Sequence, residues 1–593
     1  MSARESRANQ LPKAAKMPAA IRDPITFELF HNALDTIVGD MSVAVVRTAI
    51  SSIVRDAMDF STGLCDPQGR LVAQGLGISF HLGAIPGAMK VVKEVFAQDM
   101  HPGDVIVLND PYQGGMHLPD IFMFKPVFLK GRLLGYVIVI AHQADIGGRV
   151  PGGNAADSTE IFQEGLRIPP LKWIERGLPN NTLRQIVIAN VRVPETVLGD
   201  LASQLSACHM GERDLMALFE KYGEGMFELF DELLDYTELR SRQTISEIPD
   251  GVYVFEDWLD DNGITSDPVR ISATVEITGD SMCVDFAGTS PQVPGAINCP
   301  SNYVEAAVYS AIRFLMRDDC PNNEGFFRPI QVLCPEGSVV NPRFPAAVAA
   351  RGITGYRAAD AVLGALGQVV PQKVIAANWG GGTVVALGGR RNDGTHYVFT
   401  ESIHGNWGGR HTKDGLEGVA HAMSNISNNS VEQLETNYPV RITEYSFVPD
   451  TCGSGEYRGG LALKRAFQLL EGEAVLQVRA DRLHYAPWGL ANGDAGTLTQ
   501  NFLHSNNSLI ALPGKFTRPL EAGEEFIHIT AGAGGFGDPL LRDPMAVWND
   551  VLDEKISVHC ALEQYAVILK AGGPDSERTA LLRNQRMPRI QNN

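Results

Sequence analysis

Two apolar runs, "IFMFKPVFL" (121–129) and "LLGYVIVIA" (133–141), are separated only by Lys130-Gly131-Arg132. Runs this rich in β-branched and aromatic residues, joined through a glycine, read as two strands of a hairpin. The segments at the open end share a spacing. "GGMHLPD" (114–120) carries His117 and Asp120, and "AHQADIGG" (141–148) carries His142 and Asp145. Pairing about Gly131 sets Asp120 opposite His142 and His117 in register with Asp145. Opposed residues have Cβ atoms roughly 4.5–5.5 Å apart, close enough for their side chains to share one ion. Gly114 and Gly115 let the loop "NDPYQGGMHLPD" fold back. A mixed His/carboxylate set suits zinc, manganese or iron better than calcium or a thiolate metal. A lone His-x-x-Asp is more often structural, since Asp caps loops and His is common in turns. Two copies in mirrored register favour the ion.

The chain has 593 residues, enough for two to four domains. Its net charge of −19 repels phosphate backbones and argues against a nucleic-acid partner. No uninterrupted apolar run reaches the ~18 residues of a membrane span. The first twenty residues contain Arg4, Arg7, Lys13 and Lys16 but no apolar stretch, so they are not read as a secretory signal. The eight cysteines are scattered without a CxxC, which argues against a thiolate zinc site and predicts a reduced, cytoplasmic protein.

Patterning predicts an α+β chain, β-rich and multi-domain, with helical segments and the metal site at the open end of the hairpin. Residues 1–22 read as a mobile basic tail and 23–245 as the metal-site domain, with helices from 23, over 83–97 and from 194 to about 242. Residues 246–545 read as a β-rich substrate or assembly region, with alternating strands to about 290, a helix over 302–316, and short strands beyond 320. Residues 546–593 read as C-terminal helices and a basic tail covering the last 17 residues. "GAGGFG" (532–537) fits a dinucleotide fingerprint, but Asp538-Pro539 follows where a helix must open, so it reads as a loop. "PGKFT" (513–517) lacks the rest of a phosphate loop. The Gly-rich "GNWGGRHTKDGLEG" (405–418) reads either as a structural turn or as a loop that orients a substrate or packs an interface.

"DPITFEL" near the start, "DFS" (59–61), "NDPYQGGMHLPD", "AHQADIGG", "EGLRIPP" (164–170), "NVRVPETVLGDL" (190–201), "SGEYRGG" (454–460) and "GGFGDPLLRDP" (534–544) together resemble the hydantoinase B / oxoprolinase B-type family. The resemblance runs from about residue 22 to 570. It implies a larger A-type partner that binds ATP and Mg in an actin/sugar-kinase-like fold, in an assembly with two copies of each chain. It implies ATP-dependent opening of hydantoins, 5-oxoproline or other lactams, or alternatively ATP-dependent carboxylation of ketones such as acetone or acetophenone. It also implies a zinc or manganese ion on Asp59, His117, Asp120 and His142. Register alone reaches three of these and cannot reach Asp59. Many relatives have Glu-Arg-Arg before "DFS", where this chain has Asp56-Ala57-Met58. Asp145 and Asp56 are the candidates to orient a ligand or accept a proton. A scaffold in which the ion only ties down a hairpin is the non-catalytic alternative.

Overall fold

A computed structural model describes residues 21, 23–75, 77–317 and 319–586. The tail read over 1–22 lies, Ile21 aside, outside the described residues. Seven strands form the sheet that carries the site: β1 (Phe60–Cys65), β2 (Leu71–Gln74), β3 (Val105–Leu108), β4 (Asp120–Leu129), β5 (Arg132–His142), β6 (Leu171–Glu175) and β7 (Leu178–Pro179). Their order is β2-β1-β5-β4-β3-β6-β7, and every pairing is antiparallel.

The β4–β5 hairpin sits at the centre of this sheet. Alternate side chains point to opposite faces, and both faces are covered. Phe122, Phe124, Ile138 and Ile140 enter one core, which includes residues of the helices Ser79–Val95, Ser301–Arg313 and Arg351–Gly367. Ile121, Met123, Val137 and Val139 enter a second core, with the helices Pro24–Thr48, Pro194–Tyr222 and Gly225–Ser246. Two buried faces explain why these strands read as continuous apolar runs rather than alternating ones. Asp120 pairs with His142 as the sequence predicts, and the only shift in the hairpin falls at the far end, between Val127 and Phe128. The ladder runs one step past the strands, where Gln143 N–H donates to the Pro119 carbonyl at 2.8 Å.

The helix Pro24–Thr48 opens on an Asp23 cap, whose carboxylate accepts from Ile25 N–H at 3.1 Å, with proline in the first position. By length and composition it is apolar enough to cross a membrane, although Glu28, His31, Asp35 and Asp40 interrupt its apolar sequence. Here it is a core helix, with Phe30, Leu34, Val38, Met41 and Val45 buried. The long helical region breaks at Gly223, φ +56°, into Pro194–Tyr222 and Gly225–Ser246.

Beyond residue 246 the chain builds three larger sheets. Gly251–Leu259, Val269–Thr278 and Ser281–Asp285 are antiparallel, and Ile330–Leu333 adds in parallel. A four-stranded and a five-stranded antiparallel sheet share a further core around Phe399, Phe467 and Leu476. The helix Arg351–Gly367 interrupts the region expected to hold only short strands. All seventeen of its residues are buried. A helix enclosed on every side shows no amphipathic stripe, so its run of small residues gave no helical period to read. Ser576–Arg586, inside the stretch read as tail, is also a helix, and residues 587–593 lie outside the described set. The observed class is mixed α and β, multi-domain, with helices packed on antiparallel sheets.

Candidate metal centre

Four chain segments converge above the hairpin's open end. Asp59 stands one residue before β1, and its carbonyl accepts from His142 N–H at 3.0 Å. His142 ends β5, Asp120 begins β4, and His117 lies in the loop before it. One ligand atom from each of His117, Asp120 and His142 lies within 4.8 Å of the others, and all three residues are buried. The two imidazole rings are 5.1 Å apart, centre to centre. Asp59 lines the same cavity but stands outside this tight group. His81, near the start of the helix Ser79–Val95, sits between the carboxylates, with Nε2 3.8 Å from Asp59 Oδ1 and 3.7 Å from Asp120 Oδ2.

The chemistry of these atoms fits a divalent cation. Asp59 Oδ1, His117 Nε2, Asp120 Oδ1 and His142 Nδ1 are buried and make no hydrogen bond within the protein. His117 Nε2 and Asp120 Oδ1 approach to 3.0 Å without hydrogen-bond alignment. Two donors each about 2.1 Å from one ion, at angles from a right angle to tetrahedral, stand roughly 3.0–3.4 Å apart. Burial holds His81 and His142 down to about 4 and His117 well below its ordinary value, so all three imidazoles are neutral, the form that binds metals. Burial and the neighbouring Asp120 push Asp59 up to about 8. Burial acts on Asp120 in the same sense, but the positive charges of His117, Arg351 and His81, the two imidazoles being charged only in acid, where the carboxyl titrates, together hold it well below the carboxylate range.

Arg351 ion-pairs with Asp120 and lies 4.5 Å over the Tyr303 ring. Arg479 donates to the Ala349 carbonyl at 2.7 Å, and His117 Nδ1 is 3.3 Å from the same oxygen. Glu164, from "EGLRIPP", fixes the backbone leading into that carbonyl by accepting from Val348 and Ala349 N–H, both at 2.8 Å. It thereby positions His117 through Ala349.

The two candidate catalytic acids are placed elsewhere. Asp145 does not pair with His117. Its carboxylate accepts from Gly152 N–H at 3.2 Å, Arg192 N–H at 2.6 Å and the Arg192 guanidinium at 3.0 Å. With that full set of donors it anchors the 145–152 loop. Asp56 is half-buried and bound by Arg55 at 2.8 and 3.0 Å. Neither lines the cavity, whereas His81, Arg351 and Arg479 do. These three carry no local motif: each comes from a separate element, and only tertiary packing shows their role.

The glycine-rich segments have structural work. Every N–H of "GAGGFG" is already bonded: Gly532 to Thr497 Oγ1, Ala533 to Gly460, Gly534 to Ala377, Gly535 to Asp494, Phe536 to Tyr457 and Gly537 to Leu490. A Cβ on Gly534 would fall 2.0 Å from the Trp488 carbonyl, so the backbones pack directly on each other. With no free amide and no following α-helix, the loop has nothing to offer a phosphate. Calorimetric titration of the isolated chain with ATP is expected to show no micromolar binding, and binding at that level would overturn this reading. In the "GNWGGRHTKDGLEG" loop, Asp414 holds Arg542 at 2.7 and 2.8 Å, which favours its role as a structural turn.

The buried histidines set the pH response of the metal-free chain. His81, His117, His142, His404, His421 and His528 all have folded values below the ordinary one, chiefly from burial. Between about pH 4 and 6.5 the unfolded chain therefore binds more protons at these sites. Asp59, Glu164 and Asp360, raised by burial to about 8, 8 and 6, act in the opposite sense, as do eight further carboxyls raised chiefly by burial. The contribution from the histidines is fully present above pH 6.5 and is lost as pH falls below it. It is therefore read one histidine at a time: between pH 6.5 and 5, His528→Gln should lose less stability than the parent, by up to about 1.4 kcal/mol per pH unit. Parallel profiles of parent and variant in metal-free buffer would contradict the burial of a neutral imidazole.

The chain matches the hydantoinase B/oxoprolinase family over residues 23–539. It is 34% identical over 582 residues to the B-type chain of a putative D-/L-hydantoinase from Pseudomonas sp. (strain NS671), covering 95% of this chain and 98% of that one. It is 33% identical over 575 residues to the β chain of the caprolactamase of Pseudomonas jessenii, covering 93% and 97%. The crystal structure of the ATP-dependent caprolactamase from Pseudomonas jessenii superposes with a TM-score of 0.88 at 31% identity, covering 95% of this chain and all of the matched one. Nucleotide-free acetone carboxylase shares the fold, also with a TM-score of 0.88, at 20% identity over 95% of this chain and 83% of the matched one. Matched over nearly its whole length, the chain belongs to the hydantoinase B/oxoprolinase family.

Proposed function

We propose that this chain is the B-type component of an ATP-dependent cyclic-amide hydrolase. It acts on a hydantoin, 5-oxoproline or another lactam after an A-type partner has phosphorylated it. The observation that carries the reading is the buried convergence of unpaired Asp and His atoms in a cavity that also holds two guanidinium groups. Similarity to proteins named as components of a hydantoinase and of a caprolactamase supports it.

Asp59, His117, Asp120 and His142 would hold a zinc or manganese ion, with His81 beside the two carboxylates. When bound, such an ion supplies Lewis acidity to an oxygen placed next to it. The chain's own residues define the rest. A ring amide is a poor electrophile because of its resonance. Phosphorylation of its carbonyl oxygen on the partner, where ATP and Mg would bind, turns that oxygen into a leaving group. The activated substrate is anionic, and Arg351 and Arg479 each keep a buried, unpaired Nε–H inside the site. Guanidinium groups in a water-poor cavity attract and orient phosphate oxygens. Glu164 keeps His117 aimed through the Ala349 peptide. An unstable intermediate needs a short protected path, which argues for a stable complex with the A-type partner; the family resemblance implies two copies of each chain in it. The eight free thiols suit a reducing cytoplasm.

The test is turnover by this chain and its A-type partner with ATP and Mg, across hydantoins, 5-oxoproline, larger lactams, and ketones with bicarbonate. ATP-dependent ring opening is expected. Carboxylation of a ketone with every lactam left intact would replace this reading.

A further inference from the structure

The cavity that holds the His/Asp cluster is also lined by a second set of buried polar atoms that the centre does not use. His404 is 4% exposed, and neither ring nitrogen has a hydrogen-bond partner. Trp379 is 2% exposed, with Nε1–H unpaired. Thr400 Oγ1 is buried and unpaired as well. All three line the cavity. The Trp379 and His404 rings meet edge to face, 6.2 Å apart. A buried polar atom left unsatisfied is destabilising, and four such atoms lining one cavity are not explained by packing.

The wall is also held rigid. Asn428 clamps the His404 backbone, accepting from its N–H at 2.8 Å and donating to its carbonyl at 3.4 Å. Trp379 is followed by three glycines with positive φ. A Cβ on Gly382 would press on Ile353 N at 3.0 Å. The cavity, about 50 Å³, has room for a reacting group rather than a large substrate.

We propose that His404 and Trp379 form a nitrogen-recognition wall: His404 hydrogen-bonds the ring nitrogen of the substrate, and Trp379 Nε1–H donates to an oxygen of the same ring. The inference rests on the cyclic-amide reading above and deepens it. A neutral imidazole has one N–H and one lone pair. It can accept from an amide N–H, and as its other tautomer donate to the bare nitrogen of an O-phosphorylated imidate. Burial holds His404 at about 3, which keeps it neutral. A ketone has no N–H to donate to this group. An N-methylated lactam has no N–H and forms no neutral imidate.

The experiment is calorimetric binding of three six-membered probes to the full, zinc-loaded chain: δ-valerolactam, N-methyl-δ-valerolactam and cyclohexanone. The lactam with N–H is expected to bind at least ~10-fold more tightly than either other probe, the effect of one well-placed hydrogen bond. His404→Phe should cut that preference below ~2-fold with zinc content unchanged. His404→Gln, which keeps a donor and an acceptor, should restore part of it. Trp379→Phe should weaken all three probes alike. Equal binding of the three probes, no binding of any, unchanged selectivity in His404→Phe, or loss of zinc from that variant would each overturn the proposal. Should His404→Phe not fold, the parent's selectivity and the His404→Gln result still decide. Selective lactam binding with no ring opening by the complex refutes the proposed function and leaves the wall. Ring opening with selectivity intact in His404→Phe refutes the wall alone.

Discussion

Asp59→Asn is expected to reduce the metal retained by the purified chain from about one equivalent to less than ~0.1, while leaving the metal-free fold nearly as stable as the parent. Asp59 is raised to about 8 by burial and by Asp120, so in the metal-free chain it is protonated at pH 7. Asn has the shape of that neutral acid, and Asp59 Oδ1 has no protein partner to lose. What the amide cannot do is give up a proton and become an anionic ligand, and such ligands dominate the affinity of divalent sites. Elemental analysis and chemical denaturation at pH 7 check both halves. Full metal retention would remove Asp59 from the centre. In the complex with its partner, the ratio of phosphate released to ring-opened product should rise well above the parent value, because activation continues while hydrolysis fails. An unchanged ratio with both rates reduced would refute the division of labour between the two chains. The corresponding change at Asp120 is a poorer probe, because Asp120 is also the partner of buried Arg351, and its removal mixes loss of metal with a broken ion pair.

Arg351→Met should give the largest loss of metal-free stability, about 3–5 kcal/mol, because it leaves a buried carboxylate without its counter-charge. Arg351 is 4% exposed, pairs with Asp120 and stacks on Tyr303. The size of the loss should depend on metal. Removing a fixed positive charge from beside the ligands strengthens cation binding, and a bound cation replaces the lost charge on Asp120. Denaturation with excess zinc should therefore show a clearly smaller difference from the parent than denaturation in chelator. An equal difference under both conditions would mean that no cation sits near Asp120.

Much of this protein was legible in its amino-acid order. The hairpin announced itself through two apolar runs around Lys130-Gly131-Arg132. Pairing about Gly131 gives the observed meeting of Asp120 with His142, but the structure reaches it by a two-residue turn, Lys130-Gly131, and a one-residue register shift beside Leu134. Local chemistry decides such features: a strand alternates its faces every residue, and a tight turn fixes which residues oppose. The register argument failed one step beyond the ladder. His117 turns back to Asp120 in its own motif, and Asp145 is captured by Arg192, 47 residues away.

What the tertiary structure alone decided is the other half of the site. His81, Arg351, Arg479, Trp379 and His404 come from five segments between residues 79 and 479, and no spacing links them. The helix that begins at Arg351 is buried on every side, so its sequence lacks the one-sided stripe by which a helix is recognised. The charge state of the centre is equally a product of packing. Asp59 and Asp120 are the same residue type at similar burial, yet one is raised to about 8 and the other is held low, because only Asp120 is paired with Arg351 and His117. A one-dimensional pattern records which groups are present. Their desolvation and their neighbours, which set what those groups can do, exist only once the chain has closed around them.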